Sequence, residues 1–141
     1  MGVRRYQDLD VWRLANELKI KIYGLVEAST AKDDRRFSDQ IKDSAASAPA
    51  NLAEGFGYYR HPEFARHTRT AKSSLMETHN HLGDGVDRRH WSASEARPLQ
   101  DLADRAIGAC VRLLAHLETS DAPRVKRNRT RTGTTFTKRE V

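Results

Sequence analysis

The sequence has a single cysteine, Cys110, which excludes an intrachain disulfide and any metal site built of cysteines alone. It has no apolar run near the roughly 20 residues that a membrane-spanning helix needs. The N-terminal residues do not include the apolar stretch of a signal peptide, so we do not expect one. Aromatic residues make up only 7% of the chain, against 31% charged residues, which favours a helical protein over an aromatic-rich β-sandwich. We therefore expect a cytoplasmic protein that does not bind membranes.

The chain has no excess of acidic residues: its net charge is +6, and the positive charge is unevenly distributed. Residues 1–120 carry a net charge of +1, whereas residues 121–141 carry +5. The first segment is long enough for one domain with its own core. The second has few large apolar residues, so we expect a disordered basic tail over 121–141. Such a tail either contacts nucleic acid or is only a solubilising extension. Its candidate nucleic-acid-binding residues are Arg124, Lys126, Arg127 and Arg129.

Apolar and polar residues alternate, as in a β-strand, only over short stretches, whereas apolar residues at helical spacing extend over longer ones. Apolar residues at the 3.6-residue spacing of amphipathic helices predict helices over 8–28, 36–56, 62–83 and 93–118. No internal repeat is present. Four amphipathic helices with short connections predict an all-α fold, an up-down four-helix bundle, over residues 1–120.

Local signals predict where these helices begin and end. Asp8 or Asp10 is the expected N-cap of the first helix. The segment Ser92–Glu95 fits a capping box for the fourth helix. Gly83 and Gly85 are expected to end the third helix, because glycine is the residue most favoured just after a helix.

The first helix has more apolar residues than one core requires. Trp12, Ile20 and Tyr23 lie outside the arc of its main apolar stripe. A second apolar strip on a surface helix indicates a partner surface. We therefore interpret these three residues as an oligomer interface.

Six histidines raise the possibility of a metal site, but their spacing argues against one. Di-metal bundles use Glu-x-x-His, whereas Glu63 precedes His67 and Glu77 precedes His81 by four residues. We interpret both pairs as solvated surface pairs and His79 as a hydrogen-bonded core histidine. Phosphate-binding loops, nucleophile elbows and dinucleotide-binding motifs are missing as well. The sequence thus predicts no enzyme, cofactor or metal.

The segment 56–72 is rich in basic residues and begins with two tyrosines. Cations next to aromatic rings can hold phosphates while a ring stacks on an unpaired base. The alternative is an ordinary solvated helix face. The candidate nucleic-acid-binding residues here are Arg60, Arg66, Arg69 and Lys72.

Three segments, 6–15, 37–41 and 45–57, resemble the four-helix-bundle proteins encoded in intervening sequences of 23S ribosomal RNA genes, often labelled ribosomal-protein-like. The string Pro49-Ala50-Asn51-Leu52-Ala53-Glu54-Gly55 is the most specific part, and the resemblance covers about residues 5–118. It implies a ring-like homo-oligomer, a pentamer, without catalytic activity. A distantly similar bundle is the accessory subunit of diversity-generating retroelements, where it binds a reverse transcriptase and nucleic acid.

The most specific string also contains residues with an expected structural role. Pro49 should kink the second helix, because it cannot donate a backbone hydrogen bond. Gly55 should help to end that helix. We expect Asn51 and Glu54 to hydrogen-bond to backbone groups of the loop or of a neighbouring subunit there. The leading hypothesis is a non-enzymatic oligomer that binds RNA or a ribonucleoprotein. The alternative is a protein-interaction scaffold or accessory subunit for an enzyme partner.

Overall fold

The computed structural model describes residues 2–58 and 60–119 and has four helices. They are α1 (Asp10–Glu27), α2 (Arg35–Phe56), α3 (His61–Asp87) and α4 (Ala93–Thr119). Single 3-10 turns, Tyr6–Asp8 and Thr30–Asp33, precede α1 and α2. The described ranges contain no strand, which confirms the all-α prediction. The predicted tail, 121–141, lies outside the described residues.

The four helices form an up-down bundle. Each helix packs against the next along the chain, and α4 returns to pack against α1. Two ion pairs show the relative direction of α3 and α4: Arg69 binds Glu118 at 2.8 Å, and His79 lies 3.5 Å from Asp104. Residue numbers therefore rise along α3 as they fall along α4, so these helices are antiparallel. None of the described helices is long and apolar enough to cross a membrane.

The predicted apolar stripes line the core. Burial of each large side chain contributes about 1.5–3 kcal/mol relative to leaving it exposed. The largest fully buried apolar side chains are Leu18 and Ile22 of α1, Phe37, Ile41 and Leu52 of α2, and Leu75 and Leu82 of α3. The buried α4 residues that face them are mostly alanines, together with Leu102 and Cys110.

The start of α1 differs from the prediction. Leu9 occupies the N-cap position, so neither Asp8 nor Asp10 caps the helix. The Asp8 carboxylate instead lies 3.3 Å from the Arg5 guanidinium and 3.6 Å from that of Arg13. The carboxylate thus joins the N-terminal segment to the first turn of α1.

Two other local predictions have different outcomes. The capping box of α4 is confirmed, because Ser92 Oγ accepts from the Glu95 N–H at 3.0 Å and Glu95 Oε1 accepts from the Ser92 N–H at 2.8 Å. Pro49 lies buried inside α2, which continues for a further seven residues to Phe56. Gly57 follows as the C-cap with φ of −70°, so a left-handed glycine does not end this helix.

The prediction that Gly83 and Gly85 end α3 is wrong. The helix runs on to Asp87, and both glycines lie inside it. Gly85 is there for space, since a Cβ at this position would overlap the Trp91 ring and lie 2.7 Å from Nε1. Trp91 is 5% exposed, and its Nε1–H donates to the Leu82 carbonyl at 2.9 Å. The glycine therefore lets Trp91, four residues after the end of α3, fold back onto the helix.

The turn after α3 places an arginine in a left-handed conformation. The Arg89 N–H donates to the Val86 carbonyl at 2.9 Å, and the His90 N–H donates to that of Gly85 at 2.8 Å. These two bonds are the pattern of a Schellman motif, whose left-handed residue is usually glycine. Here it is Arg89, with φ of 66°. Such a conformation costs a residue with a Cβ roughly 1–2 kcal/mol.

Candidate nucleic-acid interface

A row of polar side chains joins α2 to α3 along the length of the bundle. Ser44 Oγ and Thr78 Oγ1 lie 2.8 Å apart, as do Ser47 Oγ and Ser74 Oγ. Ser44, Ser74 and Thr78 are buried. We call this row, together with the Asn51–His67 pair below, the polar seam. Buried hydroxyls that bond each other avoid the cost of unsatisfied polar groups and fix how the two helices align.

Asn51 and His67 complete the polar seam at its end. Asn51 Nδ2 donates to the Ser47 carbonyl at 3.0 Å, so Asn51 Oδ1 points away and accepts from His67 Nδ1 at 3.0 Å. A backbone carbonyl can only accept, and this fixes the orientation of the amide. His67 therefore carries its proton on Nδ1 when neutral. Asn51 thus bonds to the α2 backbone and to His67 rather than to loop backbone. The expected bond to a neighbouring subunit stays a prediction.

Gly55 explains how His67 comes so close to α2. A Cβ on Gly55 would lie 2.7 Å from His67 Cβ and 2.9 Å from Phe64 Cδ1. Only glycine therefore allows this approach, and its position inside α2 corrects the expected helix-ending role. The side chain of Glu54 is exposed, with no side-chain hydrogen bond or ion pair among the described residues.

His67 is a buried histidine, which corrects the prediction of a solvated surface pair with Glu63. It is 7% exposed, and its Nε2 has no hydrogen-bond partner among the described residues. The ring of Tyr58 stacks on the His67 ring with centroids 5.5 Å apart and planes 14° apart. Tyr58 itself is 40% exposed. The polar seam thus holds His67, and His67 supports an aromatic ring that faces solvent.

The predicted basic residues of α3 fall into two groups. Arg60, at the N-cap of α3, and Arg66 are exposed, and neither guanidinium has a partner among the described residues. Arg69 is also exposed, but Glu118 neutralises its charge. Lys72 is half-buried towards α4, near Cys110. We call Tyr58, Arg60 and Arg66 the stacking corner. The predicted tail residues, Arg124, Lys126, Arg127 and Arg129, lie outside the described residues, as does Tyr59.

The remaining histidines do not gather ligands for a metal. No group of three or more His, Cys, Asp or Glu side chains suited to a metal occurs in the part of the chain that the structure describes. His79 is partly exposed and pairs with Asp104 across the helix junction, rather than lying in the core. His81 is 14% exposed, and its Nε2 lies 3.4 Å from Glu77 without hydrogen-bond geometry. Burial raises the pKa of Cys110 to about 12, so its thiol stays protonated.

Sequence reasoning missed the cluster at the other end of the bundle. Asp34 caps α2 by accepting from the Phe37 N–H at 3.4 Å, and accepts from His90 at 2.9 Å and Arg88 at 3.0 Å. The hydrogen bond from His90 is the main cause that lowers the Asp34 pKa, and Arg88 adds to it. Thr30 Oγ1 lies 2.8 Å from the other His90 nitrogen. The start of α2 and the α3–α4 turn are therefore joined through one carboxylate.

The predicted oligomer-interface residues of α1 differ in their surroundings. Ile20 is 58% exposed and Tyr23 is 39% exposed. Trp12 is half-buried, packs against its own core, and meets the Tyr6 ring edge-on at 5.3 Å between centroids. Gly24 adds open space beside the first two, because a Cβ there would meet nothing within 4 Å. Ile20 and Tyr23 are thus the residues of this set that remain available for a partner.

A second exposed apolar patch lies between α3 and α4. Met76 is 53% exposed and Val111 is 47% exposed. The antiparallel register that pairs Arg69 with Glu118 and His79 with Asp104 places Met76 opposite 107–111. The patch is therefore apolar at its centre and bounded by an ion pair at each end.

Comparison with known proteins identifies a family for this chain. The chain matches the family described as 23S rRNA-intervening sequence protein over residues 7–110, which contain all of the polar seam and the stacking corner. Comparison with curated proteins gave no match. Since the family match spans most of the sequence, the chain belongs to the family of 23S rRNA-intervening sequence proteins.

Proposed function

We propose that this protein is a non-enzymatic homo-oligomer that binds RNA, alone or within a ribonucleoprotein. The stacking corner is the observation that carries the proposal. It combines a ring that is 40% exposed with two exposed guanidiniums that no carboxylate of the described residues neutralises. Single-stranded RNA is recognised by such sets, because a ring can stack on any unpaired base while cations hold the phosphates.

The ring of the stacking corner is held in place before any ligand arrives. Tyr58 stacks on His67, and His67 is bonded to Asn51, which is bonded to Ser47. Rigid placement of a binding side chain reduces the entropy that binding must remove. An ordinary solvated helix face does not require an exposed ring to be fixed by such contacts. The fixed position of Tyr58 therefore favours a binding role.

The test is binding of a labelled single-stranded RNA to the full chain, followed by fluorescence anisotropy at several salt concentrations. Each phosphate contact to single-stranded nucleic acid contributes about −0.7 to the slope of log affinity against log salt. The double variant Arg60→Ala/Arg66→Ala should therefore flatten the slope by about 1.4. Arg105→Ala/Arg112→Ala is the matched control, because these two exposed arginines of α4 lie outside the stacking corner. An unchanged slope in the double variant contradicts the assignment.

A chain ending at Ser120 tests the basic tail separately. If this chain keeps the wild-type affinity, the bundle itself binds the RNA. Loss of all binding in the shortened chain would assign the RNA signal to the tail and leave the stacking corner without that role. Counterion release would then explain the binding without any specific site.

Self-association is the second element of the proposal, supported by the exposed apolar residues of α1. Ile20 and Tyr23 lie one turn apart, with the open space at Gly24 beside them. Exposed apolar groups that cluster on one helix face are typical of partner surfaces. Light scattering on the full chain measures the subunit number, for which the family resemblance implies five.

A protein-interaction scaffold is the second candidate function, and the patch of Met76 and Val111 favours it. An apolar centre within a polar rim is the usual anatomy of a protein interface. Val111→Glu distinguishes two uses of the patch. If the oligomer mass falls, the patch serves self-association; if it is unchanged, the patch remains available for a different protein.

A further inference from the structure

We propose that His67 Nε2 accepts a hydrogen bond from the ribose 2′-hydroxyl of a bound nucleotide, so that the stacking corner binds RNA in preference to DNA. This preference rests on the proposed function, since it names the kind of nucleic acid that the same site takes. It depends on one buried nitrogen atom, which the fold leaves without a hydrogen-bond partner among the described residues.

Neutral His67 presents its Nε2 atom as a hydrogen-bond acceptor. The proton is on Nδ1, because Nδ1 lies 3.0 Å from Asn51 Oδ1, and that oxygen can only accept. Asn51 cannot turn its amide around without losing the bond from Nδ2 to the Ser47 carbonyl. Nε2 therefore keeps a free lone pair, and only a donor such as a hydroxyl or an amine can satisfy it.

The packing of the bundle does not account for this nitrogen. His67 is 7% exposed and its Nε2 is shielded from bulk water, and a buried polar atom without a partner destabilises a fold. His81 Nε2 also lacks a hydrogen bond, but it lies 3.4 Å from the Glu77 carboxylate. His67 has no ion pair among the described residues. A fixed, unsatisfied acceptor beneath an exposed ring therefore indicates a site that a ligand completes.

The Tyr58 ring covers the imidazole without a polar bond of its own. The ring centroids lie 5.5 Å apart although the planes are only 14° apart, so the Tyr58 and His67 rings are stacked with an offset. The Tyr58 N–H donates to the Gly55 carbonyl at 3.0 Å, but the Tyr58 hydroxyl has no hydrogen bond among the described residues. In the complex, the ring therefore slides parallel to its own plane and admits a hydroxyl to Nε2 while it stays stacked on the imidazole.

The order of groups along a nucleotide matches the order of residues at the stacking corner. A base that stacks on the outer face of Tyr58 is joined through its ribose to phosphates, which the exposed Arg60 and Arg66 hold. His67 lies between these partners, because it follows Arg66 in α3 and stacks on the inner face of Tyr58. The ribose, which lies between the base and the phosphate, is therefore the group that meets His67. Only RNA has a 2′-hydroxyl, so this contact distinguishes RNA from DNA.

Fluorescence anisotropy on the full chain tests this contact with a labelled single-stranded RNA and its 2′-fluoro analogue of the same sequence, which cannot donate at the 2′ position. The wild type should bind the RNA about tenfold more tightly, because only the RNA satisfies the buried acceptor. His67→Asn should bind both with equal affinity: its amide can still donate to Asn51, but it has no group at the position of Nε2. Weaker support for the Tyr58 ring would affect both oligonucleotides alike, so the ratio of the two affinities is the readout.

His79→Asn is the matched control, because His79 lies about three turns further along α3 and pairs with Asp104, and it should keep the wild-type ratio. If the wild type binds RNA and the analogue equally while Arg60→Ala/Arg66→Ala still flattens the salt slope, the 2′-hydroxyl contact is overturned and the proposed function stands. A ratio that persists in His67→Asn also overturns the contact, because another group would then bind the hydroxyl. If neither oligonucleotide binds, the proposed function fails, and the preference for RNA fails with it.

Discussion

Gly85→Ala tests the packing of the α3–α4 turn, and its effect can be estimated from the contacts of one ring. The new methyl group would overlap Trp91, which is 5% exposed and donates to the Leu82 carbonyl. Trp91 cannot simply move aside, because it also packs on Phe37 with ring centroids 5.7 Å apart. Overpacking of a core costs about 1–3 kcal/mol, and a displaced indole would leave a buried N–H unsatisfied at about 1–3 kcal/mol more.

One term opposes this cost. Alanine is favoured over glycine inside a helix by about 1 kcal/mol, so the net loss of stability should be about 3 kcal/mol. For a bundle of this size the melting temperature should fall by about 10 °C. Gly83→Ala is the matched control in the same helix, since its Cβ would lie 3.7 Å from the Gln100 side chain, an ordinary contact. It should gain up to about 1 kcal/mol.

Urea unfolding at a fixed protomer concentration measures both variants, because self-association makes stability depend on concentration. Near-ultraviolet circular dichroism reports whether the packing of the buried indole changes. If Gly85→Ala is as stable as Gly83→Ala, Gly85 is not required for the position of Trp91, and the turn does not pack as described.

Three further predictions follow from the described contacts. Asn51→Ala leaves the buried imidazole without its acceptor and should cost about 1–3 kcal/mol in urea unfolding, whereas the exposed Glu54→Ala one turn later should stay within about 0.5 kcal/mol. The pKa of Asp34 is lowered in the folded state, so its charge stabilises the fold above the unfolded pKa of about 4 and that stabilisation is lost below it. Asp34→Asn keeps a capping side chain and should therefore flatten the loss of stability between pH 5 and pH 2, as measured by urea midpoints. Ile20→Glu should lower the oligomer mass in light scattering without changing helicity. Trp12→Glu should instead destabilise the monomer, because the Trp12 ring packs on the core of its own chain. An unchanged mass for Ile20→Glu would mean that α1 is not part of the interface.

The helices and their core faces could be predicted from the sequence because burial imposes a 3.6-residue period that the residues display directly. The end of α3 could not. Gly85 has the preferred residue type for a helix end, and only the position of Trp91 six residues later shows that it serves close packing instead. The turn itself has Arg89 where the local rule favours glycine, so no local signal marks it.

The polar seam was predictable in part. Ser44, Ser47 and Asn51 recur at spacings of three and four, which places them on one side of α2, and Ser74 and Thr78 do the same on α3. These polar residues recur at the same helical spacing as the apolar ones, so both sets could have been assigned to the contact between α2 and α3. The pairing of Asn51 with His67 depends on the tertiary register, which a single sequence does not display.

The ring and the cations of the stacking corner should respond differently to salt, because they bind RNA by different chemistry. At the stacking corner, Tyr58→Ala removes a base-stacking ring worth about 1–3 kcal/mol and should weaken binding at every salt concentration by a similar factor. At the same corner, Arg66→Ala removes a charge, so its effect should shrink as salt rises. Parallel lines for Tyr58→Ala and converging lines for Arg66→Ala, on the same plot of log affinity against log salt, would show that RNA contacts both the ring and the cations. Converging lines for both would mean that Tyr58 does not stack on a base, and would reduce the interface to its arginines.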